Sequence, residues 1–331
     1  MRIAALGRTR MLYDSIKLLD QNSHAIVLIG TCREAPEYDI KASDFEALAR
    51  ELQAPFFNDV KINSFEVRNI LRKCNADIAI SVNWRTVIGK EAIESFPYGI
   101  LNAHIGDLPR FRGNATPNWA LIAGEQKIAL TIHQMEPDEL DSGSIAVKDY
   151  YPVDLNTRIG DIYDYTTKTM PQLFLRAVEG LRNGTIRPIA QNTDPCAALR
   201  CYPRMPPDSL IRWESSAQDI VRLINASSEP FSGAYTFLNM EKMVVWRAYI
   251  QSFKTPSLYI PGQIVFIDKD TGNIGVAAID GIVVLQVIQM ENGSRIQPSA
   301  VIQSMRTRLG MNIEDELHKL YMRLNSSIGE K

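Results

Sequence analysis

Long apolar runs are missing from this chain: no stretch of its 331 residues approaches the ~18 apolar positions that a membrane-spanning helix needs, so membrane insertion is not expected. Cysteine is scarce and scattered. Cys32, Cys74, Cys196 and Cys201 form no C-x-x-C pair and keep no zinc-like spacing to histidine, which argues for free thiols and against a metal site. An excess of charge is also missing. The 36 Lys and Arg stand against 38 Asp and Glu, for a net charge of -2 and a pI near 6.1, so no global basic field gathers nucleic acid. The opening MRIAALG lacks the longer apolar region and small-residue cleavage site of a secretory signal, and a cytoplasmic location is expected. No G-x-G-x-x-G accompanies Ala4-Ala5-Leu6-Gly7-Arg8 and no P-loop follows any strand-like run, which counts against a non-enzymatic nucleotide-binding module. There is no internal repeat or low-complexity tract.

What remains is an ordinary globular composition, 45% hydrophobic and 22% charged, in a chain long enough for two domains with cores of their own. Residues 3–6, 25–30, 77–82 and 99–104 read as short apolar strands. Between the first two lies a helix over 10–19 with Leu12, Ile16 and Leu19 on one face. A second helix over 43–52 starts at Ser43 with Glu46 three positions on, the spacing of a capping box. Two more strands occupy 128–153 around MEPDELDSGS, a long helix covers 159–181, and a polar, Pro-rich connection runs over 183–207. Beyond a short helix at 217–225, strands at 233–238, 243–249, 263–267, 273–278 and 281–289 suggest a small barrel of OB type. The expected fold is α/β: a Rossmann-like parallel-sheet domain over 1–190, then a smaller β-rich domain over 205–331. Open sheets of this kind bind ligands at the carboxyl ends of their strands, which directs attention to 83–85 and 102–107.

The chemistry-bearing segment is GILNAHIGDLPRFRG at 99–113. Residues two apart on a strand face the same way, so Asn102 and His104 project together from a strand end, and Asp141 in a later loop offers a carboxylate to the imidazole. An amide N–H and a tunable acid or base suit stabilisation of an oxyanion on an attacked carbonyl carbon. Hydrogen-bonded strand ends produce the same Asn-x-His spacing, and Asp-Ser-Gly turns are common, so the spacing alone leaves catalysis open.

Taken together, NAHIGDLPRFRG at 102–113, Pro117-Asn118-Trp119, Gly124-Glu125, TIHQM at 131–135 and LDSG at 140–143 resemble the catalytic domain of formyltransferases. The resemblance implies N10-formyltetrahydrofolate as cosubstrate, no metal, and Asn102, His104 and Asp141 as the catalytic set. It also implies a pterin pocket formed by 81–87 and 135–141, with Asn83, Trp84, Arg85, Met135 and Asp138 as its candidate residues. One departure is Gly106-Asp107, where many members carry serine and leucine; it bears on the acceptor more than on the chemistry. His133 reads as a structural strand residue, and His24 and His318 have no supporting partners. Further along, RMPPD at 204–208, IRW at 211–213, 230–235 and Pro261-Gly262 are similar to a carboxy-terminal region shared by methionyl-tRNA formyltransferases and some nucleotide-sugar enzymes.

The methionyl-tRNA enzymes carry a long basic insertion after the second strand. Here TCREAPEYDIKAS at 31–43 sets Arg33 and Lys41 against Glu34, Glu37 and Asp39, a poor phosphate clamp, so a nucleic-acid partner is not expected. The expected acceptor is the amine of a dTDP- or UDP-linked amino deoxysugar of the kind built into bacterial surface polysaccharide such as O-antigen. Arg110, Arg112, Arg204 and Arg212 are candidates for its phosphates, and Trp119 or Trp213 for its base. Initiator tRNA and the hydroxyornithine of siderophores are the alternative acceptors. A homodimer is compatible with this reading.

Overall fold

A computed structural model describes residues 1–35, 38–310, 317 and 320–322; Glu37 and His318 lie outside the described residues. The chain divides into two compact units. The first comprises Met1–Ala120, Glu125–Val153 and Gly160–Pro203. Its strands are β1 (Arg2–Gly7), β2 (Ala25–Thr31), β3 (Phe56–Asn58), β4 (Ile78–Val82), β5 (Ile100–His104), β6 (Arg112–Gly113), β7 (Lys127–Gln134), β8 (Ile145–Pro152) and β9 (Arg200–Cys201). Its helices are α1 (Arg10–Gln21), α2 (Ala42–Glu51), α3 (Phe65–Lys73) and α4 (Lys90–Ile93), with α5 (Thr116–Ala123) up to Ala120 and α6 (Ile159–Asn183) from Gly160.

Seven strands form one sheet in the order β3-β2-β1-β4-β5-β7-β8. The first five run parallel, and β7 and β8 continue antiparallel. Strand β1 is the pivot. Ile3, Ala4, Ala5 and Leu6 are all fully buried, as expected of a strand covered on both faces. Their parity splits them: Ile3 and Ala5 pack with α1, α2 and α6, whereas Ala4 and Leu6 pack with α3 and α4. Because β2 and β4 flank β1, the strand order reverses there, and ligand clefts in open sheets form at the carboxyl ends beside such a reversal.

Helix starts follow local chemistry with one change from expectation. Ser64 Oγ accepts the Val67 N–H at 3.2 Å and opens α3, a helix outside the expectation from sequence. At α2 the chain turns helical earlier than Ser43. The Asp44 carboxylate accepts the Lys41 N–H at 2.7 Å, while Glu46 pairs with Arg50 one turn on, so Asp44 and not a Ser43–Glu46 box fixes the start.

The second unit comprises Leu121–Gly124, Asp154–Ile159 and the chain from Arg204. Helix α7 (Ala217–Ser227) is capped by Ser216 Oγ, which accepts the Asp219 N–H at 3.0 Å. Strands β10 (Ala234–Leu238), β11 (Glu241–Gln251), β12 (Ile264–Ile267), β13 (Ile274–Ala277) and β14 (Ile282–Met290) form an antiparallel sheet in the order β10-β11-β14-β13-β12, with β15 (Arg295–Ile296) on β14. The Leu309 N–H reaches the Gly262 carbonyl beside β12, and the Gly310 N–H reaches Phe237 on β10, each at 2.9 Å. Both edges are thereby engaged by one segment, as in a barrel-like sheet.

Phe174 of α6 is fully buried, whereas Phe65 at the start of α3 is 67% exposed. Phe174→Ala is expected to destabilise the first unit by about 3–5 kcal/mol, and Phe65→Ala by less than about 0.5 kcal/mol. Urea unfolding followed by circular dichroism checks both.

Candidate active site

Strand register builds the site. Ile100, Asn102 and His104 point to the α3/α4 face of the sheet while Leu101 points to the other. On β7, Leu130 and Ile132 face the other side, so Thr131 and His133 share the face of Asn102. Pairing places Ser81, Asn102 and His133 in one row across β4, β5 and β7, with Thr131 opposite His104.

Hydrogen bonds fix the imidazoles. His133 Nδ1 lies 2.8 Å from the Gln134 carbonyl, which can only accept, so Nδ1 carries the proton and Nε2 has the lone pair. Asn102 Nδ2 donates to that lone pair at 3.2 Å, leaving its second N–H unclaimed among the described residues. Burial pushes the His133 pKa down to about 4, helped by the positive charge His104 can carry and opposed by Asp141. His133 is therefore a neutral acceptor that aims the Asn102 amide. The strand-packing reading of His133 captured only half its role. The sequence signal was its phase: His133 is out of step with the apolar Ile128, Leu130 and Ile132.

His104 Nε2 donates to the Phe111 carbonyl at 2.6 Å, so a further proton goes onto Nδ1, which lies 3.6 Å from Asp141 Oδ2. The other carboxylate oxygen lies 3.6 Å from His133 Nε2. Asp141 thus stands between two imidazoles, and its Oδ2 also accepts the Gly113 N–H at 2.8 Å. His104 and Asp141 side chains are only 8% and 10% exposed, so charge formed between them is weakly screened. The loop that supplies Phe111 and Gly113 is tied back to the sheet: Thr131 Oγ1 donates to Gly106 O, Thr116 Oγ1 to Ile105 O, and Lys148 Nζ to both Asp107 Oδ1 and Leu108 O. A Cβ on Gly106 would sit 2.5 Å from Phe111 O and 2.6 Å from His104 Nε2. Glycine is required there because a side chain would enter the His104–Phe111 hydrogen bond.

Residues 1–178 match the formyl transferase domain, and residues 205–306 match the formyl transferase C-terminal domain. The chain belongs to the formyl transferase family. A methionyl-tRNA formyltransferase of Syntrophus aciditrophicus is 29% identical over 316 residues, 93% of this chain and 97% of its own length. Among solved structures, an N-formyltransferase from Helicobacter canadensis in complex with folinic acid and dTDP-3-aminofucose is similar with a TM-score of 0.64 at 15% identity, covering 87% of this chain and 99% of that one. HypX from Aquifex aeolicus in complex with tetrahydrofolic acid gives a TM-score of 0.60 at 17% identity over 92% of this chain, which spans about half (47%) of the HypX chain.

The other expected site residues of this formyl transferase fall into distinct settings. Asn83 has a left-handed backbone (φ 55°), hydrogen-bonds the Tyr38 hydroxyl and gives its carbonyl to Arg8 Nε. Trp84 and Met135 pack against one apolar cluster, the former donating to Thr86 Oγ1 at 3.2 Å. Arg85 and Asp138 are exposed. Arg110 pairs with Glu125 at 2.5 Å, Arg112 donates to Gln191 Oε1 at 2.7 Å, and Trp119 Nε1 donates to the Tyr202 carbonyl at 2.8 Å. Arg204, in the second unit, donates to Asp208 O, Ser209 Oγ and Ser227 Oγ. Trp213 is buried with Nε1 on Thr236 Oγ1 at 3.0 Å, so it presents no face for a base to stack on. No helix among the described residues is long and apolar enough to cross a membrane, and no group of His, Cys, Asp or Glu among them is placed to hold a metal ion.

Two outcomes follow. Gly106→Ala is expected to displace His104 and lower turnover on the order of 10²-fold in a folded protein, because small misplacements at reacting groups are costly. Steady-state kinetics with a far-ultraviolet spectrum checks it. For His133 the sign of the pH effect is set by its lowered pKa. Above pH 6.5 the residue is neutral folded or unfolded; between 6.5 and about 4 only the unfolded chain takes the proton, so stability falls as pH falls. The contribution is at most about 1.4 kcal/mol per pH unit, and stability-versus-pH curves should lose it in His133→Gln.

Proposed function

We propose that this formyl transferase moves a formyl group from 10-formyltetrahydrofolate to the amine of a nucleotide-linked amino deoxysugar. The observation that supports the chemistry is the convergence of Asn102, His104 and Asp141 on one face at the end of β5. The unclaimed Asn102 N–H donates to the oxyanion formed when the amine attacks the formyl carbon. His104 joins it by turning its Nε2–H from the Phe111 carbonyl to that oxygen, and Asp141, beside Nδ1, accepts the amine proton and passes it to the nitrogen of the departing folate. Residues 81–87 and 135–141 suit the pterin. Trp84 and Met135 border one apolar cluster, and Ser81 Oγ, fully buried and without a hydrogen-bond partner among the described residues, sits on the Asn102 face one strand away. Asn83, Arg85 and Asp138 are their exposed polar members.

The acceptor reading rests on charge. In the segment after β2, Lys41 Nζ is spent on the Tyr38 carbonyl at 2.7 Å and Asp39 is paired with Arg10 at 3.0 Å, which leaves little to grip an RNA backbone. A diphosphate needs one or two cations. Arg110 and Arg112, with Trp119 for the base, are its proposed partners. The Helicobacter canadensis likeness fits this reading. The sequence likeness to methionyl-tRNA formyltransferases favours the second reading, transfer to charged initiator tRNA.

Formyl transfer assayed on dTDP- and UDP-linked amino sugars, charged initiator tRNA and hydroxyornithine separates them. Turnover with an amino sugar is expected; turnover confined to tRNA would overturn the acceptor and leave the donor chemistry standing.

A further inference from the structure

Residues 179–204 belong to neither matched region, yet they run back along both loops that frame the site. Ile189 exchanges two backbone hydrogen bonds with Ile145, at 2.8 and 2.9 Å, just after the Asp141 turn. Strand β9 pairs with β6, and the Arg112 N–H donates to Leu199 O at 2.9 Å. The approach is close enough that a Cβ on Gly113 (φ 105°) would lie 2.3 Å from the Cys201 carbonyl. Between these two seams stands Gln191, 8% exposed. Its Nε2 donates to Asp141 O and to Gly143 O, each at 2.8 Å, and its Oε1 accepts Arg112 Nη2 at 2.7 Å.

Both amide protons are therefore spent on the backbone of the turn that carries Asp141. That turn needs holding, because Asp141 has a left-handed backbone (φ 53°), a sparsely populated region for a residue with a side chain. Arg112, held by the same side chain, immediately precedes Gly113, whose N–H the Asp141 carboxylate accepts. One amide thus fixes the carboxylate's backbone and its N–H donor together.

We propose that Gln191 is a positioning residue of formyl transfer, setting Asp141 against His104 from a segment outside both family regions. The inference rests on the reading of Asp141 as the carboxylate partner of His104. Gln191→Glu keeps the size and an oxygen for Arg112 but has no N–H for the two carbonyls; Gln191→Met keeps only the size. For both, kcat is expected to fall about 10- to 100-fold while KM for 10-formyltetrahydrofolate and the Kd of folinic acid stay within about threefold. A residue that acts through Asp141 is also non-additive with it, so the double variant Gln191→Glu/Asp141→Asn should be no slower than Asp141→Asn. A kcat within about twofold of the parent in Gln191→Glu, or losses that multiply in the double variant, would overturn the proposal and leave Asp141 standing. Full activity in Asp141→Asn would overturn both.

Discussion

The antiparallel pairing of β5 with β7 is the constraint from which the site follows. Its register sets Asn102 opposite His133 and His104 opposite Thr131, on the face of the sheet away from α1, α2 and α6. Side-chain direction in a strand has period two, so a slip of one residue would turn Asn102 and His104 into the cluster that holds Leu101 and would expose Leu101 in their place. Apolar burial prevents this. Leu101, Leu130 and Ile132 are fully buried together, and their removal from water stabilises the register that the polar face needs.

On the polar face, low solvent access does the rest. A histidine that cannot easily be charged, held by its neighbour's carbonyl, is a dependable acceptor, and Asn102 is oriented by it. A carboxylate flanked by two imidazoles can gain a cation on one side only, because His133 resists protonation. The loop over 105–113 completes the arrangement with backbone groups, the Phe111 carbonyl and the Gly113 N–H, so its shape matters more than its side chains.

The parts legible in the sequence are those set by short-range pattern. The apolar runs of β1, β2, β4 and β5 and the stripe of Leu12, Ile16 and Leu19 located the parallel sheet and its first helix within a residue or two. Asn102 and His104 could be paired because they share one strand. His133 and Gln191 could not, since their roles arise from pairing across strands and from a connector that folds back 48 to 50 residues after the loop it holds. Helix α4 and the two-residue β6 and β9 are too short to show a period, whereas Val67, Ile70 and Leu71 on α3 do keep helical spacing behind the Ser64 cap. Arg110 and Arg112 were visible as cations, but their partners Glu125 and Gln191 were set by tertiary structure.

The account stands or falls on whether Asn102 and His104 act on the developing oxyanion. Single-turnover formyl transfer from 10-formyltetrahydrofolate, compared between the parent and the Asn102→Ala and His104→Ala variants with folinic acid binding measured on each, tests this most directly. The account predicts rate losses on the order of 10²- to 10³-fold in each variant with folinic acid still bound. Near-parental rates in both would contradict it.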